Sequence, residues 1–408
     1  MKDRYGLIII GAGAAGLAAA IKAAEKGMKV LLLEKSDRPG RKILASGNGR
    51  CNLMNLLPGQ YHGDGSFADA VLRRCGPVDL QSFFRHLGLL VREEEDGRVY
   101  PVTNQSASVL SSLRSGAEAA GARLALSRAV QSAEKRADGT FRLRSGSEEY
   151  AAEKVLVACG GAAQPKLGGC EDGYRLLTSF GHGMIPVKPA LVPASAGGKS
   201  VSGLSGIRAK CRITLKNGNG ASVREERGEI LFTDYGVSGI CVMQCARGIN
   251  SGADTFEIDF LDPVFRSAEA AEAEIRDRVE RFADRKALSL LEGILVPKLA
   301  FAVMKQAGMP MRDERIRDIP QEFVERILYA ASHYRVSDLR PRGLDQAQVT
   351  AGGIDCGEFS PLTMESRLVP GLYAAGEVLN VDGDCGGYNL MFAFASGIVA
   401  AEHAAEER

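Results

Sequence analysis

The 408-residue chain has almost no net charge, with 51 Lys and Arg set against 50 Asp and Glu. No global basic field marks a nucleic-acid partner, and no stretch interleaves aromatic with basic residues, so no nucleic acid is expected. No apolar run is long enough to cross a bilayer, so no membrane span is expected either. The nine cysteines (Cys51, Cys75, Cys159, Cys170, Cys211, Cys241, Cys245, Cys356 and Cys385) show neither CxxC pairs nor a disulfide-like framework. An odd, scattered set suits reduced thiols and a cytoplasmic location. Cys241 and Cys245 share a helix face, but no histidine lies near them in sequence. Buried small apolar residues is the better reading there, and no metal is expected. G-x-S-x-G is missing as well, which removes a hydrolase nucleophile elbow.

What the chain does have is YGLIIIGAGAAGLAAAIKAAEKGMKVLLLE, residues 5–34. Residues 7–10 form a short, fully apolar run, as expected of a strand buried on both faces of a parallel sheet. Gly11, Gly13 and Gly16 follow at G-x-G-x-x-G spacing. Residues 18–26 read as a helix that Gly27 stops, and residues 29–33 as a second strand ending at Glu34. This is the context a dinucleotide fingerprint requires. Gly11 permits the tight turn, Gly13 lets backbone approach a pyrophosphate, and Gly16 allows helix and strand to pack closely. With Ala14 and Ala15 they are the expected cofactor contacts of the turn, where free N–H groups and a partial positive charge favour phosphate. Glu34 is placed to accept from a ribose 2′-OH. A signal peptide would also put basic residues before an apolar run, but three glycines break this run and a helix and strand follow. The fold class expected is α/β, a Rossmann-like dinucleotide-binding domain. No second fingerprint with this context is visible, so no separate NAD(P)H domain is expected.

Next comes KSDRPGRKILASGNGRCNLMN, residues 35–55, a polar loop on the C-terminal edge of the sheet, where ligands of doubly wound folds bind. Lys42, Ser46, Asn48, Arg50 and Asn52 supply donors, and Gly47 and Gly49 let the backbone turn sharply. GRKILASGNGRCN resembles a signature of a bacterial flavoprotein family, the aminoacetone oxidase family of FAD-binding enzymes, also described as NAD(P)/FAD-dependent oxidoreductases. That family includes a flavoenzyme reducing 3-oxo bile-acid dienes. The resemblance implies a two-dinucleotide-binding flavoprotein whose loop runs along FAD towards the isoalloxazine ring. The cofactor contacts expected along this loop are Lys35, before the motif, and Arg41, Lys42, Ser46, Gly47, Asn48, Arg50, Cys51 and Asn52 within it.

Residues 56–96 read as mostly helical, with amphipathic spacing over 78–89 and an acidic cluster at 93–96 that suits a solvated turn. A short strand and a helix follow over 97–124, with Asn104, Gln105 and Ser106 as natural caps. Arg98, Tyr100 and Gln105 are either pocket residues or packing and capping residues. Two alternating strands flank Asp138-Gly139, a hairpin signal. Residues 154–158 are another buried strand, and Cys159 and Gly160 follow. By family likeness Val130, Ala158, Cys159 and Gly160 approach the cofactor.

Four segments emerge: residues 1–188 as the first part of the FAD-binding domain, 189–263 as an inserted β domain, 264–337 as a helical subdomain, and 338–408 as the return segment. The helical part is read as helices over 267–285, 288–306 and 320–333, and Ser238 as a helix cap. In the return segment, TMESRLVPGLYAAGEV and DGDCGGYNL carry the strongest family signature. It implies that Gly376 and Glu377 meet the flavin's ribityl chain, and that Gly387, Tyr388, Asn389 and Leu390 open a helix against the flavin's N1–C2=O edge. Met54, Met391 and Phe392 depart from the family pattern, which leaves the substrate pocket open.

The expected activity is that of an FAD-dependent oxidoreductase moving a hydride through flavin N5, with NAD(P)H as a reductant. The family likeness favours reduction of an activated C=C bond in an enone, steroid-like acceptors included, and hence a hydrophobic small-molecule substrate. Tyr388, Asp384, Cys51, Arg50 and Cys385 are the candidates for proton transfer. Amine oxidation with peroxide release, a tRNA-modifying flavoprotein and an electron-transfer flavoprotein are the alternatives. The oligomeric state has no signature in the sequence.

Overall fold

The computed structural model describes residues 4–198, 200–309 and 314–406. They divide into two compact units, one of Met1–Lys188 with Gln348–Arg408 and one of Pro189–Ala347.

In the first unit the apolar run forms the strand Arg4–Ile10, parallel to Val30–Leu33 on one side and to Glu148–Val157 on the other. Arg123–Ala125 extends the sheet beyond Val30–Leu33. Leu7, Ile8 and Ile9 are fully buried, as a strand covered on both faces must be. On its other edge Glu148–Val157 serves two further neighbours. Its first half pairs antiparallel with Phe141–Ser145, and its last three residues pair in parallel with Leu372–Ala374 from the return segment. The result is the mixed α/β, Rossmann-type sheet that the sequence implied.

The alanine-rich helix Ala14–Glu25 is almost wholly buried and packs against the long helix Tyr388–Glu406. It starts four residues earlier than the sequence suggests, because Gly13 takes an extended conformation and so marks the N-cap. Residues 56–96 are less helical than expected. Two ten-residue helices, Gly65–Arg74 and Pro77–His86, are flanked by the strands Tyr61–Gly63 and Val91–Glu93. Glycine and β-pairing break the helix at Gly63, which has φ +69° and faces Val381 across two strands. The helix Ser106–Ala119 has no side-chain cap. Ser106 Oγ instead donates to the Leu44 carbonyl, and Asn104 accepts from Arg50, so both polar side chains serve the 41–52 loop.

The second unit is built on an antiparallel sheet. Its order is Tyr334–Val336, Thr255–Asp259, Arg208–Lys216, Ser222–Phe232, Gly236–Ser238, Ala194–Ser195 and Arg340–Pro341. Cys211, Ile213 and Leu215 alternate inward, the period-2 pattern of a half-buried strand. The helices Ala268–Arg281, Pro297–Gln306 and Gln321–Ser332 share one hydrophobic core with this sheet, to which Phe256, Ile258, Ile275, Leu299 and Ile327 all belong. Ser267 caps the first of these helices. The continuous helix expected over 288–306 does not form: a single 3₁₀ turn at Ala287–Leu290 precedes a helix that begins at Pro297, where proline's missing N–H costs nothing. Ser238 is not a cap either, since it ends a strand and Gly239 precedes the short helix Ile240–Gln244. Among the described residues, no helix is long and apolar enough to cross a membrane.

Candidate cofactor and active site

The glycine fingerprint is held by backbone contacts. Gly11 has φ +106° and donates to the Leu33 carbonyl at 2.8 Å, which joins the first two strands at the turn. A Cβ at Gly16 would lie 1.9 Å from the Gly11 carbonyl oxygen, so any larger residue there collides with backbone. Gly13 has no atom within 4 Å of its Cβ position, which leaves the turn open on that side. Glu34 closes the turn from below. Its two oxygens accept from the N–H groups of Ala12 (2.9 Å) and Ser36 (2.8 Å), which fixes the carboxylate while leaving further lone pairs.

Glu34 lines a small pocket together with Gly11, Lys35, Val130 and Cys159. Ala158, at the end of its strand, donates to the Ile10 carbonyl at 2.9 Å. The pocket is electrostatically mixed. Burial pulls the Lys35 ammonium down, but the Cys170 thiol and the Asp172 carboxylate outweigh it and hold Lys35 above its ordinary value. Burial pushes the Cys159 thiol up, so it stays neutral.

The polar loop folds as the short helix Arg41–Ala45 and a tight turn in which Gly47, Asn48 and Cys51 take left-handed conformations. Ser46 Oγ donates to the Ile43 carbonyl and Arg41 to the Lys166 carbonyl. Lys42 reaches Glu377 at 2.6 Å, and the other Glu377 oxygen accepts from the N–H (2.9 Å) and hydroxyl (3.1 Å) of Thr350. Gly160 and Gly161 pass beside this trio, and a Cβ at Gly161 would lie 2.1 Å from Thr350 Oγ1. Thr350 escaped the sequence reading, having neither periodicity nor motif to mark it.

Arg50 lies in a rigid frame. One guanidinium nitrogen contacts both Glu94 oxygens at 2.6 and 2.7 Å, Nε and Nη2 reach Asn104, and the plane sits 4.0 Å from the Tyr100 ring centroid. Hydrogen bonding to Glu94 raises Arg50, and the same bond lowers Glu94. The acidic cluster is therefore not merely a solvated turn, because Glu94 orients Arg50. Cys51 is fully buried, and burial pushes its thiol up to about 11 against the opposing bond from Ser46. A neutral, shielded thiol is a poor proton carrier. Asn52 is also buried, and its Oδ1 has no hydrogen-bond partner.

The return turn meets the same loop. Gly376 donates to Ser396 Oγ at 3.0 Å, which fixes the residue before Glu377. Gly387 has φ +106°, and a Cβ there would lie 2.6 Å from the Met54 carbonyl and 2.8 Å from Asn52 Oδ1, so only glycine brings the turn this close. Asn55 donates to the Gly386 carbonyl at 3.0 Å. Asn389 clamps Gly383 through both backbone groups at 2.8 Å, and Leu390 follows in the first helical turn. Tyr388 is buried, its hydroxyl donates to the Leu57 carbonyl at 3.2 Å, and burial raises it. That hydroxyl holds backbone and is not poised for proton transfer. Asp384 lies 3.1 Å from Nε2 of His62, a residue the sequence reading passed over.

These residues fit FAD. Gly13, Gly49 and Gly160 leave room where a Cβ would stand, and Asn52 Oδ1 is a buried acceptor without a donor. Glu34 retains lone pairs beside the pocket, and the N-terminus of Ala14–Glu25 carries the partial positive charge that a pyrophosphate favours. Gly11–Gly16, Glu34 and Val130 would hold the nucleotide end. The 42–52 loop, Glu377 and the 387–390 turn would hold the flavin end. A separate cavity of about 700 Å³ lies in the second unit, lined by residues such as Phe265, Ile275, Val324 and Tyr329, and contains none of these groups.

The model of the HI0933-like protein Rossmann domain matches residues 5–403. The chain is 35% identical to the 3-dehydro-bile acid delta(4,6)-reductase of Clostridium scindens, over 98% of each chain. It is 30% identical to the ribosomal RNA dihydrouridine synthase of Escherichia coli K12, again over 98% of each. Its fold is similar to that of the 3-ketosteroid delta1-dehydrogenase from Sterolibacterium denitrificans, with a TM-score of 0.52 at 13% identity over 100% of both chains. Fingerprint, sheet and full-length relatives agree: the chain belongs to the HI0933-like Rossmann-domain family of FAD-dependent oxidoreductases.

Proposed function

We propose that the chain catalyses NAD(P)H-linked reduction of a C=C bond activated by a neighbouring carbonyl, with an enone, steroid-like ones included, as the substrate class. The observation that carries this reading is the chemistry common to two full-length relatives. A delta(4,6) double bond in a 3-dehydro bile acid is conjugated with the C3 carbonyl. The double bond lost when uridine becomes dihydrouridine is conjugated with a ring carbonyl. Both reactions deliver a hydride and a proton across a polarised C=C bond.

FAD, when bound, supplies the hydride from N5 and takes its electrons from NADH or NADPH. The chain's part is to bind, orient and shield. Lys42, Glu377 and Thr350 form a fixed polar trio beside Gly160 and Gly161, suited to a hydroxylated chain. Arg50, braced by Glu94 and Tyr100, keeps the loop in one conformation. The carbonyl of an enone needs a hydrogen-bond donor as negative charge grows on its oxygen, and backbone N–H groups of the 46–52 and 386–389 turns are of the right kind.

A second reading, reduction of uridine in RNA, is favoured by the Escherichia coli relative. The near balance of 51 basic and 50 acidic residues speaks for the small substrate.

The test is anaerobic stopped flow. FAD-loaded protein is mixed with NADH or NADPH, and the bleached flavin is then offered a 3-oxo-4-ene steroid or uridine-containing RNA. Rapid bleaching followed by recolouring with the steroid supports the first reading, and recolouring with RNA alone supports the second. Peroxide release from an amine without any nicotinamide would overturn both.

A further inference from the structure

We propose that His62, held by Asp384, is the proton donor that completes reduction of the C=C bond; this rests on the reductase reading above. Strand Tyr61–Gly63 pairs antiparallel with Val381–Gly383, which places His62 directly opposite Asp382, two positions before Asp384. His62 Nε2 lies 3.1 Å from Asp384 Oδ1, and the two side chains are 16% and 18% exposed, shielded but not sealed. Asp384 is itself fixed. Its N–H donates to the Gln60 carbonyl at 3.1 Å, and Asn389 clamps the adjoining Gly383. Tyr61 ties the same strand to the start of the last helix, donating to the Tyr388 carbonyl at 2.9 Å. The dyad therefore borders the turn from Gly383 to Tyr388 and cannot drift from it.

The other nearby candidates are committed elsewhere. The hydroxyls of Tyr388 and Tyr61 donate hydrogen bonds to backbone carbonyls, and burial raises both. Burial also raises Cys51 and Cys385. Arg50 is locked between Glu94 and Asn104. Imidazole can both hold and release a proton, and the Nδ1 of His62 makes no hydrogen bond among the described residues. With Nε2–H donated to Asp384, a protonated ring presents Nδ1–H for transfer.

The step balances. The substrate's β-carbon gains a hydride, the C=C π pair moves to the α-carbon and its carbonyl, and a new α-C–H bond forms as the Nδ1–H bond breaks. The imidazole, left neutral, regains its proton from water. Asp384 accepts from Nε2, holds the ring in place and sets the tautomer, and so acts as a positioning residue.

The experiment uses the FAD-loaded full chain, reduced anaerobically and reoxidised by a 3-oxo-4-ene steroid or by ferricyanide, which takes electrons but needs no proton at carbon. In His62→Ala the ratio of steroid to ferricyanide rate is expected to fall about a hundredfold or more. Free imidazole should restore part of it, and FAD content and flavin spectrum should match wild type. Asp384→Asn should lower the ratio by a smaller factor with no rescue by imidazole. His62→Gln, which keeps an amide donor towards Asp384, separates loss of the proton from loss of the fold. A wild-type ratio in His62→Ala or His62→Gln overturns the inference, as does equal slowing with both oxidants that imidazole does not relieve. Should wild-type flavin be reoxidised by no conjugated acceptor, the reductase reading itself fails, a result distinct from any difference between the variants.

Discussion

The two ends of the candidate cofactor site are built by different means. At Gly11–Glu34 the work is done by backbone and by residues close in sequence. Gly11 donates to Leu33, Gly16 makes room for the Gly11 carbonyl, and Glu34 collects N–H groups from Ala12 and Ser36. At the return turn the contacts are side-chain contacts between residues more than three hundred positions apart. Lys42 meets Glu377, Asn55 meets Gly386, and His62 meets Asp384. The comparison teaches that the binding end depends on where atoms are absent, whereas the end assigned to chemistry depends on which polar groups are present.

The sharpest break of this contrast is Gly16→Val. A side chain starting 1.9 Å from a carbonyl oxygen forces strand and helix apart, at a cost of more than about 4 kcal/mol. The expected result is no soluble yellow protein, and a folded variant that retains FAD would refute the backbone account. At the other end, Glu377→Ala leaves Lys42 and both Thr350 donors without their acceptor. With the two charged side chains 17% and 29% exposed, the loss should be about 2–3 kcal/mol in urea unfolding. Glu377→Gln should recover part of it. Should Glu377→Ala unfold at the wild-type urea concentration, the trio is not a structural joint.

Glu34→Ala sharpens the first half of the comparison. It strands the Ala12 and Ser36 N–H groups and removes an acceptor from the pocket. FAD affinity, followed by fluorescence during dialysis, should fall about tenfold to a hundredfold, equivalent to about 1–3 kcal/mol. Undiminished yellow protein after dialysis would remove Glu34 from the site. The smallest effect is expected from Arg50→Met. Glu94 is held below the usual carboxylate range by Arg50, so the pair's contribution is present above the unfolded carboxylate value and is lost as pH falls through the lowered folded value. The gap in thermal midpoint between wild type and Arg50→Met should therefore be widest near neutral pH and close below about pH 4. A gap that is constant from pH 7 to pH 3 would mean that Arg50 acts through its packing on Tyr100 instead.

The same contrast explains what the sequence disclosed. Glycine spacing, the buried strand and the acidic residue after the second strand are local patterns, and the sheet they imply is the sheet that forms. His62 lies in a short polar strand with no periodicity, and its partner is 322 residues away. Thr350 becomes visible only once Glu377 folds against it. Glu94 reads as part of a solvated acidic run until Arg50 is placed beside it. Tyr388 looks reactive in a glycine-rich turn, yet its hydroxyl is engaged in a hydrogen bond to the Leu57 carbonyl. Residue type announces chemical capacity, and only three-dimensional neighbours decide whether that capacity is free.

The strand Glu148–Val157 has a consequence for how the polypeptide is made. Its last three residues pair with Leu372–Ala374, so their outer edge stays open while more than two hundred intervening residues are synthesised. Val155, Leu156 and Val157 are apolar and end up buried, so during translation they present a ready template for mispairing. A nascent chain stalled before Leu372 should be a preferred client of cellular chaperones, and release should follow only when the return strand emerges and closes the sheet.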